Sequence, residues 1–166
     1  MTAYQPGEWE SFFIAATGAS AALAGLVIVA LSVNMQRILA FPHLPPRAAA
    51  AIGMLVLILI SSMAGLIHQP VASFGIELMA FGIMGWLLQD VAARNMLRAH
   101  ARSPAYRRAS LQAIILGQVQ ALLFVVGGIS LYCGQGGGLY WIAAGVIAIF
   151  IFSMIEAWVL LVEILR

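Results

Sequence analysis

The sequence predicts an all-α fold: a single membrane domain, residues 1–166, built as a bundle of five transmembrane helices. Three observations carry that prediction. Hydrophobic residues make up 63% of the chain and charged residues 8%, where an ordinary soluble domain carries about 25% charge. Apolar stretches at 12–33, 48–67, 71–91, 111–133 and 139–164 approach or exceed the roughly 20 residues that cross a hydrocarbon core. Every basic side chain other than histidine is an arginine, and the arginines fall only in alternate connections and at the C-terminus. A soluble chain needs a polar shell that this composition does not supply; a bilayer is the solvent that suits it.

The first stretch is preceded by Glu8-Trp9-Glu10 and by no basic residue. A signal peptide carries a positive leading segment, so this stretch is expected to be a retained helix. Residues 34–47 connect it to the second stretch, and His68-Gln69-Pro70 make a tight turn into the third. Residues 92–110 lead to the fourth, and a glycine-rich turn at 134–138 leads to the fifth. Proline and glycine in these links are helix stops. The two short links predict hairpins between the second and third spans and between the fourth and fifth.

Orientation follows from charge, because arginine is retained on the cytoplasmic side. Arg37 and Arg47 lie in the first connection, Arg94, Arg98, Arg102, Arg107 and Arg108 in the third, and Arg166 ends the chain. With five spans these all fall on one side, which predicts the N-terminus outside and the C-terminus in the cytoplasm. Trp9, Phe12, Phe13, Tyr132, Tyr140, Trp141 and Trp158 fall near the expected edges, as amphipathic rings do.

Asp90 and Arg94 are spaced to pair along a helix, with Arg98 and Arg102 continuing the same face. The third helix is therefore expected to run beyond the membrane and stop before Pro104. These arginines, with Arg107 and Arg108, suit contact with anionic lipid or with a partner protein. Nucleic-acid binding wants a basic patch on a water-facing domain, and the connections are too short to hold one.

Two carboxylates fall deep inside predicted spans, away from their ends. Glu77 is six residues into the third, about 9 Å deep at 1.5 Å per residue. Glu156 is eight residues before the end of the fifth, about 12 Å from that edge. An ionisable group at such depth costs about 2.5–3.5 kcal/mol or more unless it faces protein or water. Thr17, Ser20, Ser61 and Ser62 are expected near the level of Glu77, and Gln118 near Glu156. Two readings stand side by side: a polar path with two ionisable steps, or hydrogen bonding that joins helices.

Helix 1 carries a dense run of small residues, with Gly18 and Ala22, and Ala21 and Gly25, four apart. Small side chains let helix backbones approach, within one subunit or between subunits. Gly75, Gly82 and Gly85 in the third span, and Gly117, Gly127 and Gly128 in the fourth, offer the same chance.

Gly18-Ala19-Ser20-Ala21 is similar to the Gly-x-Ser motif around the nucleophile of rhomboid intramembrane proteases. That chemistry needs a histidine base within hydrogen-bond reach. His43 and His100 lie in the arginine-bearing connections and His68 in a tight turn, none at the depth of Ser20. No catalytic function is expected. No cofactor or metal is expected either, since there is no histidine within a span and no cysteine cluster beside the single Cys133.

Trp9-Glu10, Phe12-Phe13 and the run from Gly18-Ala19-Ser20-Ala21-Ala22 through Gly25 to Asn34 together resemble the opening helix of a group of small, uncharacterised bacterial membrane proteins. Some of that group carry a general label as modulators of the FtsH protease. The resemblance covers about the first fifth of the chain and implies a bacterial inner membrane. It transfers no binding residue. The expected function is an oligomeric channel or transport component whose intramembrane carboxylates line a polar path. The alternative is a non-conducting accessory subunit or regulator of a larger membrane complex.

Overall fold

In a computed structural model, which describes residues 3–40, 44–99 and 104–162, every regular element is helical. A short 3-10 turn, Pro6–Trp9, leads into α1, Glu10–Val33. The short α2, Met35–Ala40, follows, then α3, Leu44–Gly65. The hairpin at 66–70 leads to α4, Val71–Ala99. Last come α5, Pro104–Cys133, and α6, Leu139–Val162. Five of these helices, all but α2, are long and apolar enough to cross a membrane.

The helices pack in a definite order. α4 lies along α5 over the longest contact; α3 touches α4, α5 touches α6, and α6 returns to α3. These four close a ring, and α1 lies against α3 and α6 on its flank. In lipid, apolar surface gains little by meeting other apolar surface, so close backbone approach holds helices together. The α4–α5 contact is built this way. A Cβ on Gly128 would lie 2.6 Å from the carbonyl oxygen of Gly75, and one on Gly82 2.8 Å from Val125. Gly75, Gly82, Gly117 and Gly128 therefore serve contacts within the chain. Gly18 and Gly25 differ, since a Cβ on either would meet nothing within 4 Å.

The N-terminus and both tight turns gather at one end, here the hairpin end. The Leu139 N–H donates to the Ala3 carbonyl at 2.8 Å, and the Gly137 N–H to Tyr4 Oη at 2.9 Å. Gly137 has φ +107° and Gly138 φ +50°, conformations that favour glycine. That turn lets the Gly138 N–H reach Ser130 Oγ at 2.8 Å. Edge-on rings fill the same end: Trp9 on Tyr140 at 5.1 Å and Phe13 on Phe74 at 5.9 Å.

The opposite end is the arginine end, and here the structure departs from the expected boundaries. Residues 34–47 are not a plain connection, since they hold α2 and the first turn of α3. Pro45 and Pro46 lie in that first turn, where a helix tolerates the missing N–H. Arg47 is thereby a helical residue. Helix α4 does run to Ala99, and Pro104 opens α5.

Candidate functional site

Glu156 on α6 is 1% exposed. Its partner is Arg47 on α3, whose Nε donates to Oε2 at 2.5 Å and Nη2 to Oε1 at 2.8 Å. The two-point contact satisfies both carboxylate oxygens and neutralises the charge where it is buried. The expected partner, Gln118, instead has an Oε1 buried with no hydrogen bond. Arg47 can reach so deep because α3 begins at Leu44 and carries it in on a rigid turn. The sequence signal was present in Pro45-Pro46, which marks a helix start as readily as a helix stop.

Other polar side chains are buried in the same half of the bundle. Gln89 on α4 is 7% exposed, Gln120 on α5 3% and Ser153 on α6 1%. Gln120 Nε2 donates to the Ala148 carbonyl at 3.0 Å, tying α5 to α6. The Gln89 amide lies over Gly117, where a Cβ would come within 3.0–3.1 Å of its atoms. Ser153 precedes Glu156 by three residues on the same helical face. Gln89 Nε2, Gln118 Oε1, Gln120 Oε1 and Ser153 Oγ are buried without a partner.

These groups fall in one half of the bundle. Arg47, Gln89, Gln118, Gln120, Ser153 and Glu156 lie 13–18 residues from the hairpin ends of their helices. That is about 20–27 Å along the axis. All four helices of the ring contribute, so the result is a polar belt in the arginine half of the bundle. Sequence reading missed Gln89 and Gln120, which face inward on helices that are apolar nearly all round and so show no preferred face.

Glu77 belongs to the other end. Gln69 Nε2 in the α3–α4 turn donates to its Oε2 at 2.7 Å and to the Ala64 carbonyl at 3.3 Å. Of the hydroxyls expected near it, Ser20 donates to the Thr17 carbonyl at 3.0 Å, while Thr17 Oγ1 and Ser61 Oγ are buried without a partner. Ser62 is also buried. Beside Gln69 an open cleft of about 410 Å³ is lined by Glu10, Gly65, His68 and Pro70 among others. Among the described residues no group of three or more histidine, cysteine or acidic side chains is placed to hold a metal.

Gly18, Ala22 and Gly25 lie on an exposed face of α1. Arg94 is exposed and pairs with Asp90 at 2.6 Å, the spacing read from sequence; Arg98 is exposed in the last turn of α4. Arg102 and the side chains of Arg107 and Arg108 lie outside the described residues.

The fold and the belt define a class: a multi-spanning helical membrane protein with a charged pair and unpartnered amides among its spans. No protein-family model, curated protein or solved structure matches the chain.

Proposed function

We propose that the chain is a non-catalytic transport component of a bacterial inner membrane, working as an oligomeric channel or part of one. The observation that carries this reading is the polar belt. A helix bundle in lipid has no water of its own to satisfy side chains, and buried polar groups there mark hydrated or solute-bearing sites. Gln89 Nε2, Gln120 Oε1 and Ser153 Oγ, buried in the arginine half without a partner, suit such a site better than hydrogen bonding between helices, which would use them up. Glu156 belongs to the belt, and Glu77 stands at the hairpin mouth of the same route. Buried Phe74, Leu78, Phe124 and Ile142 pack the hairpin half.

Flux into liposomes tests the reading. Purified chain is expected to admit at least one member of a panel of common ions and small polar solutes. A panel silent throughout would sink the transport reading.

The accessory-subunit reading is favoured by a different observation, the exposed small-residue face of α1 with open space over Gly18 and Gly25. Particle mass in mild detergent separates the two: a closed homo-oligomer supports a channel, and a mixed complex supports a subunit.

The hairpin end is assigned to the outside and the arginine end to the cytoplasm, on the retention of arginine. Cys133, exposed at the hairpin end, is a natural reporter. A membrane-impermeant maleimide added to intact cells is expected to label it; labelling only after lysis would reverse the orientation.

A further inference from the structure

We infer that the belt is built for water and small neutral solutes that both donate and accept hydrogen bonds, such as urea, and not for ions; this rests on the transport reading above. The buried charge is already balanced. Arg47 takes both oxygens of Glu156, so the pair presents no net charge to a passing species. An ion entering there would have to break that contact or remain uncompensated, and either is costly in a low-dielectric interior.

What is left over is neutral and mixed in character. Gln89 Nε2 is an unused donor, Gln120 Oε1 is an unused acceptor, and Ser153 Oγ can do either, while Gln118, two residues from Gln120, lies on the opposite side of α5 and takes no part. A cation filter replaces a hydration shell with acceptors alone. A donor set among acceptors instead matches a molecule with its own donors and acceptors, as water and urea have. Gln120 is fixed for this by its other end, because Nε2 is held by the Ala148 carbonyl while Oε1 stays unused. Gln89 is fixed by packing over Gly117, where a larger residue would displace the amide.

The experiment uses the unaltered full-length chain in proteoliposomes. Stopped-flow light scattering follows water and urea after osmotic shock, while dyes follow potassium, chloride and protons in the same vesicles. Water or urea should move faster than through protein-free vesicles, with the ion signals unchanged. Gln120→Leu and Gln89→Leu should then slow that movement about threefold to tenfold, the weight of one lost hydrogen bond. Any ion flux would overturn the neutral class while leaving the transport reading standing. No movement of any species would remove the transport reading itself. Neutral flux left unchanged in a Gln120→Leu chain of normal melting temperature would show that the route lies elsewhere. The comparison of neutral with ionic flux needs no variant, so a misfolded Leu variant does not shelter the inference.

Discussion

The hairpin half and the arginine half of the bundle are held together by different means. At the hairpin end Phe13, Phe74, Phe124, Leu131 and Ile142 are buried. There α4 and α5 meet through glycine, and the N-terminus is tied across the last turn by backbone bonds. At the arginine end one ion pair joins α3 to α6, and amides stand between α4, α5 and α6. Packing fixes the first half, where the buried side-chain atoms without a partner, among the described residues, are the two hydroxyls Thr17 Oγ1 and Ser61 Oγ. The second half has one strong contact and several polar atoms in want of partners. The proposed transport role would use both, a packed part to hold the bundle and a polar part to meet solute.

Breaking the ion pair is the largest expected effect. Arg47→Met leaves the Glu156 carboxylate buried and unpaired. Removing one partner of a buried pair costs about 3–5 kcal/mol, and the lower figure is expected here because Arg47 is 27% exposed. Thermal melting in detergent measures it. The double variant Arg47→Met with Glu156→Met should recover most of the loss, since two apolar side chains replace the pair. Equal losses in the single and double variants would mean that the pair does not hold α3 to α6.

Gly128→Leu attacks the other half. Its Cβ would fall 2.6 Å from the Gly75 carbonyl and 2.8 Å from the Met79 nitrogen, and backbone cannot move aside as a side chain can. Overpacking of this kind costs about 1–3 kcal/mol. Gly53→Ala is the control, for its Cβ would meet only Leu88 Cδ1, at an ordinary 3.8 Å. Similar melting temperatures for the two variants would argue against close approach as the cement of α4 and α5.

Much of the fold was legible because its signals are long. Five apolar runs, two tight links and one-sided arginines need no knowledge of which face of a helix points where. Asp90 and Arg94 were legible too, being neighbours on one helix. The site was not, for two physical reasons. Helices apolar nearly all round hide their buried face, so the sequence named Gln118 but not Gln120, two residues away. Contacts between distant segments are also invisible to local reading. Arg47 and Glu156 lie 109 residues apart, and the proline pair before Arg47 fits a helix stop as well as a start. Depth alone pairs Glu77 with hydroxyls on other helices, whereas Gln69 in the adjoining turn reaches it.

The smallest effect is expected at Gly25, and it sharpens the comparison most. From sequence, Gly25→Leu should hold helix backbones apart as Gly128→Leu does. In the structure the two glycines are unlike: Gly128 is pressed against α4, while Gly25 faces open space on α1. A leucine at Gly25 would extend into lipid and meet nothing in its own chain. The melting temperature of the single chain should therefore stay within the shift of an ordinary surface substitution, about 0.5 kcal/mol. Particle mass in mild detergent is the second readout. If α1 is where copies meet, Gly25→Leu should lower the mass of the assembled particle while each chain keeps its fold. An unchanged mass would leave that face to lipid. A loss of stability as large as that of Gly128→Leu would instead show that α1 is packed more tightly than its open surface implies, and the contrast between the two glycines would fail.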